Sequence, residues 1–380
     1  MDNETASAPH MARAARCRDQ RRTPSRWDWV ILETLTAPDQ SSIVLDGPDR
    51  RSFTRLRHSR VGRSGAAVRL LPSLIQQCTG TGVTQDKCLT LPDGRVMHVV
   101  GVPVLGPSGR VHAIAMWVGT RLDTVPSVPI VGALEWSASG VMTSTPAAQY
   151  LLRLSYDDLP SVHTVPELMA GFDPWNDRAG FLDLFNLNTP SDRWTGTVTK
   201  TYEDGIQRQL YIAARARGSG INRAVRAVVC DITGTHAPEV PDLRSIAVPH
   251  IPIPPGHAFG LVDLKTGFIH EWLADERSPL AGWRHHTPDF DQAGRLIVAT
   301  AVFELAAGVR RTADTTALMR FDSGDDWIQV HAYWTRICDG IRPQALIDVT
   351  VLSPIPPMAV RKCRMCQDIS RPATDRDAPS

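Results

Sequence analysis

The sequence predicts an α+β protein of three tandem units, each an antiparallel sheet of about five strands with short helices on one face. Three observations predict it. A pattern of strand, turn, strand, turn, strand occurs three times. Proline-rich joints separate the three occurrences. Two of them close on the same phrase, an apolar strand running into Asp, a β-branched residue and Thr: VVCDIT at 228–233 and ALIDVT at 345–350.

The chain has 380 residues, which gives room for two or three domains. Residues 1–25 carry almost no large apolar side chains and are expected to form a disordered arm. Residues 355–380 are expected to be a flexible tail of the same kind. Two joints, TVPSVP at 124–129 and HAPEVPDLRSIAVPHIPIPPG at 236–256, have the proline density of extended linkers. The expected units are therefore 26–122, 128–236 and 250–354.

The first unit opens on the strand-like RWDWVILETL. A helix is expected at RLLPSLIQQC, where Leu70, Leu71, Leu74, Ile75 and Cys78 share a face. Three strands come next, separated by turns at Pro-Asp-Gly and Ser-Gly. The second unit opens on ALEWSA and VMTS around Ser139-Gly140. Thr145-Pro146 then supplies a side-chain cap and a first-turn proline for the helix AAQYLLRL. Its closing strands turn at Asp204-Gly205 and GSGINR. The third unit begins with a hairpin at Thr266-Gly267 and contains the helix DQAGRLIVATAVFELAAG. Its three closing strands turn at Asp322-Ser323-Gly324 and Asp339-Gly340.

Phrases between 131 and 235 of the second unit, taken in order, resemble a PAS domain. GALEWSASG is similar to the first strand and turn, and TPAAQYLLRLSYDDL to the helix after it. FDPWNDR at 172–178 is similar to the phrase that opens a long helix. WTGTVTKTYEDGIQRQL and VVCDITG are similar to the hairpin and the closing phrase. In that family the Asp-Ile-Thr phrase ends the last strand and leads into a signalling linker. The resemblance thus gives Asp231, Ile232 and Thr233 a strand-exit role, with Asp348, Val349 and Thr350 as counterparts. Asp231 and Thr233 have side chains suited to capping the backbone just beyond the strand. The third unit is a more degenerate look-alike. The end of the first, GVPVLGPSGRVHAIAMWVG, resembles both PAS and GAF domains. The whole resembles a tandem PAS/GAF-like sensory protein, and fold likeness supplies no ligand.

Bulk composition excludes several classes. Basic and acidic residues nearly cancel, 41 against 40, so no global field attracts nucleic acid. No run approaches the ~20 apolar residues of a membrane span. The N-terminus has arginines without an apolar core, unlike a secretory signal. Seven dispersed cysteines fit a reducing compartment, so a cytoplasmic location is expected.

Cofactor and catalytic motifs are weak. No Asn-Cys-Arg-Phe-Leu phrase of a flavin photosensor is present. Cys230 lies in a closing strand, where a small buried apolar side chain is the simpler reading. His163 is the nearest approach to a haem ligand, and a surface or loop histidine is the simpler reading. His285 and His286 are adjacent and so point apart, which disfavours a shared metal. Cys363 and Cys366 form a C-x-x-C without a second ligand pair nearby, a weak metal or redox candidate. No G-x-S-x-G, H-E-x-x-H or phosphate loop occurs.

The expectation is a protein without enzyme activity, acting in sensing or signal transduction through small-molecule or partner binding. A ligand-free scaffold, or a redox protein using the C-x-x-C, is the alternative. A homodimer or a complex with another signalling protein is expected through a sheet face, with Trp327 and Trp334 as interface candidates.

Overall fold

The computed structural model of the chain describes residues 28–354, apart from 37–39, 63–64, 93, 155–161, 174, 176, 187–191, 203, 238–249, 322–323 and 341. The expected arm, the expected tail and the pair Cys363 and Cys366 lie outside the described residues.

Three antiparallel sheets succeed one another along the chain. The first holds β1 (Val30–Glu33), β2 (Ser42–Asp46), β3 (Asp49–Thr54), β4 (Gln85–Thr90), β5 (Val96–Leu105) and β6 (Val111–Thr120). The second holds β7 (Val131–Trp136), β8 (Met142–Ser144), β9 (Val162–His163), β10 (Arg193–Thr201), β11 (Gln207–Arg217) and β12 (Ala224–Asp231). The third holds β13 (His257–Asp263), β14 (Ile269–Ala274), β15 (Asp289–Phe290), β16 (Thr312–Arg320), β17 (Ile328–Cys338) and β18 (Gln344–Pro354). Counting strands one to six within each unit, the first sheet has the order 3-2-1-6-5-4, and the second has the same order read from its other edge. The third runs 2-1-6-5-4-3. A five-strand core is common to all three, and the third strand joins one edge or the other.

The expected α+β class, with about five strands and short helices per unit, is corrected by this architecture. The protein is dominated by antiparallel sheet, and each sheet has six strands. The extra strands were hard to see because two have only two residues, too few for an alternation pattern. Helices are few among the described residues: α1 (Gly65–Thr81), α2 (Pro146–Leu152), α3 (Val165–Ala170), α4 (Arg178–Leu182) and α5 (Gln292–Ala307). Among the described residues only α1 and α5 exceed seven residues. The long helix implied after FDPWNDR is the five-residue α4, continued by a 3-10 turn at Asp183–Phe185.

Local chemistry places the helix ends. Thr145 accepts from the Ala148 amide and Pro146 opens α2. Asp291 accepts from the Gly294 amide at 3.0 Å to start α5, and Gly308, at φ +74°, ends it in the left-handed region that favours glycine.

Alternation along the strands sends each sheet's residues to two faces. In the first unit, Val30, Leu32, Ile114 and Met116 pack under α1 with Leu71, Leu74, Ile75 and Cys78. The opposite face carries Trp29, Ile31, Ala113, Ala115 and Trp117, and it is not open to solvent. It packs against Tyr211, Ala213, Val228 and Cys230 from the corresponding face of the second sheet. Units one and two are thus joined sheet to sheet through a continuous apolar layer.

Polar groups pin that layer. Glu33 is fully buried and accepts from Arg215 Nε at 3.0 Å and from the Leu35 amide at 2.9 Å; the Ser42 hydroxyl also donates to it. His112, 1% exposed, meets Glu135 of the second unit at 2.8 Å. Burial alone would raise the Glu135 carboxyl, and the neighbouring His112, Ser108 and Arg226 outweigh it and hold it below the usual range. The Tyr211 hydroxyl crosses to donate to the Arg51 carbonyl at 2.7 Å.

The third unit docks on the helices of the second. Arg178 of α4 bonds Glu271 and the His270 carbonyl, and Arg342 reaches Asp183 at 2.9 Å. Among the described residues, no helix is long and apolar enough to cross a membrane.

The buried Glu33–Arg215 pair yields a first prediction. Arg215→Met should destabilise the chain by about 3–5 kcal/mol, because an uncompensated carboxylate stays buried. Urea unfolding followed by tryptophan fluorescence would measure it, and a loss below ~1 kcal/mol would show that Glu33 finds water instead.

Candidate functional site

The second and third units use the space between sheet and helices differently. In the second, aromatic side chains fill it. Trp136, Trp175, Phe181, Phe185 and Trp194 form one cluster, with neighbouring ring centroids 5.2–6.4 Å apart. Leu210 and Ile212 of β11 complete the packing.

In the third unit small residues are set among the large ones on the matching strands. The inward side chains of β16 include Ala313, Thr315 and Ala317, and β17 contributes Ala332 between Val330 and Trp334. Helix α5 faces them with Val298 and Val302 rather than aromatics. A cavity of about 190 Å³ remains. Trp283 of the 3-10 segment Pro279–Arg284 and Phe290 of β15 wall one side, with Trp272 tilted against the back of Trp283 at a centroid distance of 4.6 Å.

The cavity interior is chemically apolar. Its floor has two polar side-chain groups, and they satisfy each other: the Trp334 indole N–H donates to Thr315 Oγ1 at 2.9 Å. The solvent-exposed His286 and Thr287 add polar groups to its lining. The second unit supplies the remaining wall through Ser139, Gly140 and residues 164–166 at the start of α3. Gly140, at φ +79°, sits where an added Cβ would lie 3.1 Å from Phe268, so this wall is closely fitted. The Thr164 hydroxyl donates to the Arg284 carbonyl at 2.6 Å, tying the two units beside the cavity.

Next to that tie, Glu167 lies between two histidines, 3.1 Å from His163 Nδ1 and 3.4 Å from His285 Nδ1. Burial alone would raise its carboxyl, and His163 and His285 outweigh that and hold it below the usual range. Burial pulls His270 below the usual imidazole range, against an opposing bond to Gln344 at 2.9 Å.

The residues singled out in the sequence fall in several places. Trp334 is 5% exposed and lines the cavity inside its own unit, so it does not offer an outer surface to a partner. Trp327 is half-buried with the Arg320 guanidinium over its ring at 4.5 Å. Asp231 ends β12 and accepts from the Thr233 amide at 2.9 Å, Ile232 is fully buried, and Thr233 Oγ1 accepts from the Gln209 amide at 3.0 Å. Asp348, Val349 and Thr350 are not at a strand exit, because β18 continues to Pro354. Val349 lines the cavity, while Asp348 meets His257 at 2.8 Å. His163 is buried beside Glu167, and His285 and His286 diverge, one to Glu167 and one to the cavity.

Burial pushes the thiols of Cys78 and Cys230 up to about 11 and about 12, which leaves them inert as nucleophiles at neutral pH. Among the described residues no group of three or more His, Cys, Asp or Glu is arranged to hold a metal. The sequence reading missed the cavity-forming Thr315, Ala317, Ala332, Val298 and Val302. One signal was available: Ala313, Thr315 and Ala317, at alternate positions of β16, are all small.

Residues 28–127 match the family model described as Rv3651-like, N-terminal, so the first unit is similar to that family. A comparison with curated proteins found no match. Among solved structures, the chain is similar to the crystal structure of an uncharacterized protein from Mycobacterium tuberculosis. The TM-score is 0.67 at 19% identity, over 86% of this chain and 97% of that one. At that identity the likeness is one of fold. An RNA-binding light-oxygen-voltage receptor aligns with TM-score 0.24 and 10% identity, over 59% of this chain and 96% of that one. A sensory box histidine kinase/response regulator from Burkholderia thailandensis E264 aligns with TM-score 0.21 and 14% identity, over 28% and 79%. These two likenesses to sensory proteins are too weak to carry an argument.

The cavity floor and the joint beside it each yield a prediction. Thr315→Val should cost about 1–3 kcal/mol in urea unfolding, because the Trp334 indole N–H loses its acceptor in an apolar place. Glu167 has a lowered folded-state pKa, so its contribution is complete above the ordinary carboxylate range and is lost as pH falls through the lowered value. Glu167→Gln should therefore flatten the acid limb of stability against pH, and an unchanged slope would contradict the ion-pair reading.

Proposed function

We propose that this chain is a non-enzymatic sensory protein whose third unit binds a small apolar or aromatic molecule, with the first two units as a rigid support. The observation that carries the reading is the 190 Å³ cavity in the third unit, set against a second unit whose matching space is filled. A dry cavity of roughly 150 Å³ is enough to hold benzene, so one small ring system or a short aliphatic chain fits the space. An apolar interior with few polar groups, placed where two units meet, is the usual form of a small-molecule site. The PAS-like phrases of the second unit and the shared five-strand core support the sensory side of the reading. Partners would sense occupancy through the contact between units two and three, because residues 164–166 belong to the cavity wall and Thr164 also makes that contact.

The test is a binding screen. Small aromatic and aliphatic molecules such as indole, benzene derivatives and short fatty acids would be added to the full chain, with melting temperature and native mass read out. A binder present at a hundred times its dissociation constant should stabilise the chain by about 2.7 kcal/mol. Val302→Trp, which fills the cavity from α5, should abolish the shift while the chain stays folded. If no compound shifts the wild-type chain, or if the filled variant binds equally well, the sensor reading fails and a ligand-free scaffold takes its place.

A further inference from the structure

Helix α5 has a second apolar face. Its inward residues, Val298, Ala301, Val302 and Leu305, pack on the third sheet or the cavity. On the opposite side Leu296 and Phe303 are each 70% exposed, and Ala299 and Thr300 between them are exposed too. Positions 296, 299, 300 and 303 have the spacing of one helical stripe. Thr300 adds little polarity to it, because its hydroxyl donates back to the Leu296 carbonyl at 2.8 Å. The two charged residues of the helix are engaged elsewhere, Arg295 with Asp289 at 2.5 Å and Glu304 with Arg310 at 3.2 Å. A surface helix of a monomer is normally polar on its outer face, and this one is not.

We propose that this stripe is the contact between two copies of the chain, packed as antiparallel α5 helices about a two-fold axis. The residue pattern is self-complementary in that arrangement. Helix α5 has 16 residues, and its midpoint falls between Ala299 and Thr300. Small residues therefore lie at the crossing, where two backbones approach closely. Leu296 and Phe303 are equidistant from the midpoint, so each Leu296 meets the Phe303 of the other copy. Arg295 and Glu304 are also equidistant from the midpoint and lie on opposite sides of the stripe, so no like charges are set against each other at the crossing. The helix dipoles run in opposite directions, also favourable. A two-fold contact requires a surface that complements itself, and this stripe does. The surface differs from the sheet face expected from Trp327 and Trp334. Its other side carries Val298 and Val302 of the cavity wall, so cavity occupancy would bias pairing; that coupling rests on the ligand reading, and the pairing itself does not.

Sedimentation of the full chain tests the pairing. The expected result is a mass that rises with concentration to twice the 41.7 kDa of one chain. Leu296→Glu and Phe303→Glu should each return the chain to monomer with unchanged circular dichroism and a melting temperature that no longer rises with concentration, because both sites are exposed in one copy. Ile221→Glu, at a residue 91% exposed elsewhere, should leave the dimer intact. Thr300→Cys should raise the oxidised dimer above the background that the parent chain's own Cys17, Cys88, Cys338, Cys363 and Cys366 provide. A monomer at the highest soluble concentration overturns the proposal. So does a dimer that survives both glutamate substitutions, since it must use another surface.

Discussion

Packing of the first sheet on the second is the constraint on which the rest of the structure depends. The first and second sheets each have two apolar faces, and a short helix can cover only one. The first two units resolve this by covering each other. Tyr211, Ala213, Val228 and Cys230 meet Trp29, Ile31, Ala115 and Trp117 in one apolar layer. Area alone would allow the sheets to slide over one another. The buried Glu33, bonded to Arg215 across the layer, prevents this, because any shift would strand a carboxylate in an apolar place.

That arrangement sets what the third unit can do. With units one and two fixed together, the helices of the second present Arg178, Asp183 and Glu167 as a charged platform. The third unit docks there through Glu271, Arg342 and His285, and its cavity comes to lie against α3. Aromatics occupy the second unit's core, while alanines in β16 and β17 leave room in the third unit's core beside Trp283 and Trp334. The division into a filled support and a hollow outer unit is thus a matter of side-chain volume on a shared five-strand frame. Helix α5 links the hollow to the exterior, with valines on one side and an exposed apolar stripe on the other.

Much of the frame was legible in the residues. Asp204-Gly205 turns β10 into β11, with Gly205 at φ +77°. Thr266-Gly267 turns β13 into β14, where Asp263 Oδ1 accepts from the Lys265 and Thr266 amides at 3.1 and 2.9 Å. The repeated Asp-β-branched-Thr phrase proved less uniform. In the second unit Asp231 closes a strand, and in the third Asp348 lies within one, bonded sideways to His257. The same letters serve two purposes because a strand's end depends on how far its neighbours extend, and β17 extends far enough to pair with Pro354.

By itself, the sequence determined the three successive units, most strand and turn positions, and the capped start of α2. Those features arise from contacts within a few residues, such as Thr145 with Ala148 or Asp204 with Ile206. Only the tertiary structure decided the edge on which each third strand lies, the burial of Trp334, the union of the first two sheets and the cavity. Each of these depends on side chains brought together from distant segments. The outer face of β11 reads the same whether water or Trp117 covers it, and an alanine in β17 becomes a void only when Val302, Ala317 and Val330 all stop short of it.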